Sequence, residues 1–454
     1  MSRSAATVVL LTRDLRVHDN PSLAAACRSG RPVLPVFVHD PALRAGARRL
    51  AFLGESLAGL AAELRARGGD LFELHGDPVE QVLRVAVAVG ADQVMVAADA
   101  SRYAVTRERR LAEACRGQRI GFTAEVGATV LSPGVVHPAA GSHYRVFTPY
   151  WRVWRALPLR PVLPPPDVVE LPAELPPWLI AAGSAARRGA GRGAADPGAC
   201  AVAGTGWVGG ESAGRARLRA WIGGVAGYDA GRDDLAGDLT SRLSPYLHLG
   251  CVSAVEVAAE ALAAGGAAAE PLLRQLCWRD FYHQVLWAFP ELGRRAYRRG
   301  ASDEWGDDPD LVGAWREGRT GVPLVDAGMR QLATEGWMHN RARMVTASYL
   351  TKQLGQDWRV GAAHFMATLV DGDVACNYGN WQWAAGTGND SRPYRRFNPT
   401  RQAERFDPTG GYLRRYLPAL AGLTPAQARG VSGSSGAHPQ RHFKVLPVIR
   451  YHGP

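Results

Sequence analysis

The sequence predicts a two-part fold: an α/β domain built on a doubly wound parallel sheet, then an all-α domain. Three observations predict it. Over residues 7–130 short β-rich apolar runs alternate with helical segments, the pattern of a parallel sheet covered on both faces. From Glu211 onward apolar residues recur at helical spacing and strand-like alternation is scarce. Between them, residues 158–213 are rich in Pro, Ala and Gly and poor in aromatics, which reads as linker. A chain of 454 residues also exceeds the size that one core serves. The boundaries drawn are 1–131 for the α/β domain, 132–210 for the linker, 211–425 for the helical domain and 426–454 for a C-terminal tail.

Element by element, TVVLL (7–11), PVLPVFV (32–38), LFELHG (71–76) and QVMVAA (93–98) read as buried parallel strands. SLAAACRSG and the run from Leu50 to Arg67 read as connecting helices. Asp14, Arg16, Asp19 and Asn20 follow the first strand, where ligand crevices of such sheets lie. Gly204, Gly206 and Gly209 spell GxGxxG, but without the strand–helix setting that a dinucleotide site needs, so they are set aside. In the second half, LLRQLCWRDFYHQVLWAF reads as a buried helix, and Met338, Ala342, Val345 and Tyr349 mark another. Eight of the 13 tryptophans fall between Trp278 and Trp383.

Lys plus Arg number 53 against 42 Asp plus Glu, a net charge of +11. The excess is mostly arginine, whose planar fork suits phosphate, so a polyanionic partner and a GC-rich coding bias are both consistent with it. Six scattered cysteines with no CxxC pair point to neither a zinc site nor a disulfide framework, and reduced cytoplasmic thiols are the simplest reading. No apolar run reaches membrane-spanning length.

Two segments concentrate chemistry. DGDVACNYGNWQWAAGTG (371–388) combines two acids, two asparagines, two tryptophans and four glycines. TSRLSPYLHLG (240–250) offers hydroxyls and a cation, either for phosphate or as an ordinary helix cap. Asp371-Gly-Asp373 is not a calcium loop, because Ala375 stands where the third oxygen donor belongs. Asn377 could bond the polar edge of a buried ring or serve a turn. Trp305, Trp358 and Trp381 have no helical spacing to one another, and are core fillers or steps for an electron. Trp278 and Trp383 could stack on an extruded base, and RPYRRFNPTRQAERF (392–406) suits a nucleic-acid groove or a solvated basic loop.

Taken in order, TRDLRVHDNPSLAAAC, TSRLSPYLHLG, WRDFY, GVPLVDAGMRQLATEGWMHNRARM and DGDVACNYGNWQWAAGTG resemble the photolyase–cryptochrome family from about Thr7 to Leu420. The cyclobutane pyrimidine dimer branch is the most similar. The resemblance implies an antenna domain and a helical domain holding FAD. It assigns Tyr228, Thr240, Ser241, Arg242, Leu243, Ser244, Arg279, Asn340, Arg343, Asp371 and Asp373 to flavin contact, with Asn377 facing flavin N5. Arg343 matches the arginine paired with Asp371. Trp381, Trp358 and Trp305 match the inner, middle and outer steps of photoreduction. Arg232, Gln275, Trp278, Arg279, Asn340, Arg341, Met344, Trp383 and Gln402 fall on DNA- or lesion-contacting positions. UV-damaged DNA, duplex or single-stranded with its dimer flipped out, is the implied partner of a cytoplasmic monomer with no metal. The implied antenna is 8-hydroxy-5-deazaflavin or, in its place, methenyltetrahydrofolate. A cryptochrome-type photoreceptor is the alternative. Three departures stand out: Gln275 replaces a glutamate common in dimer repair, Tyr378-Gly-Asn380 varies from the commonest loop, and the tail lacks the usual ending.

Overall fold

The computed structural model describes residues 5–183 and 206–430. Its α/β part forms because four apolar runs have nowhere else to put both of their faces. β1 (Ala6–Leu11) is buried at every residue, β2 (Val33–His39) at all but the last, β4 (Ala91–Ala97) completes the inner strands, and β3 (Phe72–His75) forms one edge. All pairings are parallel, in the order β3-β2-β1-β4-β5. Pro35 is tolerated inside β2 because pairing with β3 starts only at Val36, so no β3 bond needs its missing N–H. β5 (Gly121–Glu125) was not foreseen. It is the other edge strand, none of its residues is buried, and it carries no apolar run to read.

The connecting helices start where local chemistry starts them. α1 (Pro21–Arg28) opens on an Asn20 side chain that accepts from Leu23, with proline in the first turn. α2 (Ala47–Arg65) has the longest buried stripe. α3 (Pro78–Val89) is capped by Asp77 and ended by a left-handed Gly90. α4 (Arg102–Gly117) is capped by Ser101. Strand order reverses between β1 and β4, the position at which open α/β sheets admit ligands.

Compactness divides the described residues into two units. The first joins the sheet to helices α5 (Phe147–Trp154), α6 (Glu211–Ile222), α7 (Ser244–Leu249), α8 (Ala254–Gly265) and α9 (Glu270–Ala288), plus residues 370–376. The second takes residues 227–240, 292–369 and 377 onward. Its core centres on the fully buried Trp315 and Trp358 with Leu332, Met338, Phe365 and Tyr412. Helices α10 (Pro309–Arg316), α11 (Pro323–Glu335), α12 (Asn340–Ser348) and α13 (Trp358–Thr368) supply 12 of its 25 described buried residues. Helix α14 (Val374–Ala385) contributes to both units.

Two early expectations change. Asp14, Arg16, Asp19 and Asn20 are all buried but satisfy one another. Asn20 donates to the Asp14 and Arg16 carbonyls, Arg16 donates to the carbonyls of Asp19 and Gly250, and Asp19 pairs with Arg160. They brace the first turn after β1 and present nothing to a ligand. Of the GxGxxG run, Gly204 lies outside the described residues. Gly209 is pressed on α2, where an added Cβ would meet the Phe52 carbonyl at 2.4 Å, and its N–H donates to Glu55 at 2.6 Å.

Candidate active site

In the first unit the chemistry gathers around Asp373. The Asp371–Asp373 turn closes through Asp373 N–H donating to the Asp371 carbonyl at 2.7 Å. One Asp373 oxygen then accepts the Cys376 N–H at 2.8 Å, fixing the start of α14. The other faces Arg13, which donates to it directly, and the His283 imidazole Nε2 at 3.3 Å. Arg13 comes from the end of β1 and Asp99 from the end of β4, and they pair at 2.7 Å. The switch point of the sheet is therefore filled by an ion network of this chain's own. Burial opposes ionisation of Asp373, but Arg13 and His283 outweigh it and hold the carboxyl well below its usual range. Asp99 is likewise held at about 2, against burial, chiefly by Arg13.

His283, Asp373 and Cys376 bring ligand-type atoms within 4.8 Å of one another. Burial and the Asp373 charge push the Cys376 thiol well up, so it stays protonated, and Arg13 already neutralises the carboxylate. A protonated thiol and an already paired carboxylate make a poor donor set for a cation. Gly372 shows how close the packing is: a Cβ there would lie 2.6 Å from an Arg49 guanidinium nitrogen, and Arg49 feels the Asp371 charge. His248 is held neutral by burial and by Arg13 and Arg49, and its buried Nδ1 has no partner among the described residues.

The 240–244 segment is not an ordinary capped helix start. Leu243 occupies the N-cap of α7 with no side-chain cap bond. Ser241 Oγ accepts only a long 3.4 Å contact from Leu243 N–H. Arg242 has φ of +50°, a conformation that costs a non-glycine residue energy, and its guanidinium lies 5.9 Å from the Trp207 ring. On α9, Gln275, Trp278 and Arg279 share a face through i, i+3 and i+4 spacing. Trp278 stacks on Phe147 at 3.7 Å with the planes 4° apart. Arg279 is spent on the carbonyls of Ala128 and Leu247, which ties three segments of this unit together.

In the second unit, Asn377 is a helical, buried residue and not a turn former. Its amide nitrogen donates to the Ala362 carbonyl at 3.0 Å, which fixes the direction of its oxygen. Arg343 donates through Nε to the Met338 carbonyl at 2.7 Å. Burial pushes the Tyr228 phenol up to about 12. Thr240 donates to Asp238, which has φ of +45°. Asn340 reaches Met344 sulfur at 3.8 Å one turn along α12. Arg341 forks onto Asp233 at 2.7 and 3.2 Å and covers Phe406, while Arg232 pairs with Asp229. Trp383 is covered by Arg395 at 4.9 Å, and Gln402 Oε1 is buried without a partner among the described residues. Trp381 packs edge-on against Phe365 and Trp315. Its ring rests on Gly361 so closely that a Cβ there would fall 2.2 Å from it, and Trp358 lies one turn earlier on the same helix.

Sequence reasoning singled out both acids of the turn, Asn377 and the tryptophans, and the structure buries Asp371, Asp373, Asn377, Trp358 and Trp381. It missed Arg13, Arg49, Asp99, His248 and His283 as partners. Only the switch-point rule, applied to the ends of β1 and β4, could have flagged Arg13 and Asp99.

The buried acids beside arginines and the strained Arg242 are compatible with a ligand that has polar edges and phosphates. Residues 7–169 match the family described as DNA photolyase, and residues 272–444 match the FAD binding domain of DNA photolyase. A deoxyribodipyrimidine photo-lyase from Streptomyces griseus is 48% identical, covering 91% of this chain and 90% of that protein. A class III photolyase structure from Agrobacterium tumefaciens has TM-score 0.85 at 32% identity, over 94% of this chain and 90% of that one. A Synechocystis cryptochrome structure has TM-score 0.83 at 28% identity, over 94% and 92%. The chain belongs to the DNA photolyase family.

Proposed function

We propose that this chain is a light-driven DNA repair enzyme that splits cyclobutane pyrimidine dimers. The observation that carries this reading is its kinship, over nine-tenths of both chains, with a deoxyribodipyrimidine photo-lyase. FAD, when bound, supplies the excited-state electron that opens the cyclobutane ring. The chain's own residues bind, orient and shield. Asp371, Asp373 and Arg343 are assigned to the isoalloxazine edge, Tyr228, Arg279, Asn340 and residues 240–244 to the rest of the cofactor, and Asn377 to N5. An amide at that place presents a fixed oxygen and has no acidic proton to give. Gln275, Trp278, Asn340, Arg341, Met344, Trp383 and Gln402 are assigned to the lesion, and Arg232 to DNA. Apolar faces such as Trp278 and Trp383 would stack on extruded bases, and the arginine excess would meet phosphate.

Trp381, Trp358 and Trp305 are assigned to photoreduction, and their burial fits that order, with two fully sealed rings followed by one at the surface. A second chromophore, 8-hydroxy-5-deazaflavin or methenyltetrahydrofolate, is proposed for the α/β domain from the likeness of VFVHDPALRAGARRLAFLGESL and HYRVFTPYWRVW to deazaflavin-binding members. The protein is proposed to act as a cytoplasmic monomer. No helix among the described residues is long and apolar enough to cross a membrane.

The test is dimer removal. Reduced, FAD-loaded protein under blue light is expected to clear dimers from irradiated DNA. Dimers that persist while the flavin photoreduces normally would replace repair with a cryptochrome-type photoreceptor.

A further inference from the structure

One chain of contacts in the helical unit is left unused by the flavin and lesion assignments. The Arg359 guanidinium carbon lies 4.9 Å from the centre of the Trp358 ring. The same guanidinium donates to both Asp303 oxygens at 2.8 and 2.6 Å. Asp357 holds it from a second direction at 3.1 and 3.2 Å, and its Nε donates to the Arg294 carbonyl at 2.8 Å. Asp303 also accepts the indole N–H of Trp305 at 3.0 Å.

The two indoles therefore sit in opposite electrical surroundings. Trp358 is fully buried, a cation faces its ring, and its N–H has no acceptor among the described residues. Trp305 is part-exposed, and its N–H ends on a carboxylate. A neutral indole attracts a cation over its face, but a ring that has lost an electron repels it. A carboxylate on the indole N–H has the opposite effect and stabilises positive charge.

We propose that Asp303 and Arg359 are positioning residues for electron transfer: the fixed ion pair makes Trp305 easier to oxidise than Trp358, so an electron vacancy is drawn outward and held at Trp305. The proposal rests on the flavin reading above. Trp381 gives one electron to the photoexcited oxidised flavin and takes one from Trp358. The Trp358 radical cation then takes one from Trp305 and returns to a neutral indole. Trp305 is left as the radical cation, and no proton or covalent bond changes hands. Asp303 and Arg359 side chains are 47% and 27% exposed, so solvent and salt reduce the bias without abolishing it.

The experiment is flash photolysis of the FAD-loaded full chain, reading the yield and lifetime of the tryptophan radical by transient absorption. Asp303→Asn and Arg359→Gln are each expected to lower the long-lived radical yield by about three- to tenfold, the range left after solvent screening of a close charge pair. The double variant Asp303→Arg with Arg359→Asp restores a pair of opposite sense, and its yield is expected below either single variant. An ion pair with only a structural role would be rescued by the exchange, so wild-type yield in the double variant overturns the proposal. So does wild-type yield in Asp303→Asn. If the unmodified chain shows no flavin photoreduction at all, the flavin reading falls and takes this one with it, an outcome distinct from both.

Discussion

The two units handle charge in contrasting ways. Around Asp373 the α/β unit buries ions and makes them tolerable by direct contact: Arg13 spans Asp99 and Asp373, and His283 adds a third donor. Around Trp381 the helical unit buries rings, with Trp315, Trp358 and Phe365 packed together, and a part-exposed ion pair, Arg359–Asp303, meets the Trp358 ring. The first arrangement fixes its groups by close contacts between opposite charges. The second surrounds the Trp381 ring with other rings, so that in the proposed photoreduction, where electrons pass inward from Trp305 and the vacancy passes outward, the inner step is apolar.

The sharpest way to break this contrast is Arg13→Ala. Removing the cation leaves two buried carboxylates facing each other without compensation. A loss of roughly 3–5 kcal/mol is expected, the range for breaking a buried pair on one side. Denaturant unfolding measures it. A loss below about 1 kcal/mol would mean that the network is hydrated and not a true buried cluster. Arg13→Ala is also expected to weaken FAD retention, because Asp373 would then bind a proton more readily.

Gly361→Ala attacks the other side. The added methyl would press into the Trp381 ring at 2.2 Å, so helix or ring must shift. Overpacking of this kind costs about 1–3 kcal/mol. The larger consequence is kinetic: flavin photoreduction is expected to slow, while repair by chemically pre-reduced protein is spared. If photoreduction is unchanged, Trp381 is not the inner step.

How far these features were legible from residues alone differs between the units for a physical reason. Strands β1 to β4 were readable because burial on both faces demands unbroken apolar runs. Edge strand β5 escaped, since a half-solvated GFTAE has no such demand. Asp371, Asp373, Asn377 and Trp381 stand within one short segment, and their density betrayed them. Arg13 reaches Asp373 from 360 positions away, and no spacing rule encodes that distance. Asn377 looked like a turn residue by base rate, but its amide is committed to Ala362 within a helix.

A third test asks whether the α/β unit tolerates a buried acid that lacks such compensation. Burial pushes the Glu108 carboxyl up to about 7, and Arg107 beside it only partly offsets this. The folded protein therefore binds this proton more tightly than the unfolded chain does. Between the ordinary value of 4.5 and about 7, stability falls as pH rises. Glu108→Gln removes that slope. The variant is expected to exceed the parent by roughly 1–2 kcal/mol at pH 8, with the gap closing toward pH 4. Thermal unfolding across that pH range checks it. A gap that widens on acidification would mean that Glu108 is ionised and paired.

The smallest expected effect bears on substrate and not on folding. Gln275 shares a face of α9 with Trp278 and Arg279, but its neutral amide can offer a lesion only an uncharged hydrogen bond. Gln275→Glu adds a carboxylate at a half-buried position on that face, where a charge-assisted bond is worth about 1 kcal/mol more than a neutral one. Dimer affinity is expected to hold or to rise by about fivefold at most, a gain within that 1 kcal/mol, while affinity for undamaged DNA falls slightly from the added negative charge. Binding of irradiated and intact oligonucleotides to the two proteins separates these terms. A large loss of dimer affinity would remove Gln275 from the lesion side. The recognition attributed to this face of α9 would then rest on Trp278 alone, a ring already stacked on Phe147 and packed against Phe281 and Tyr282.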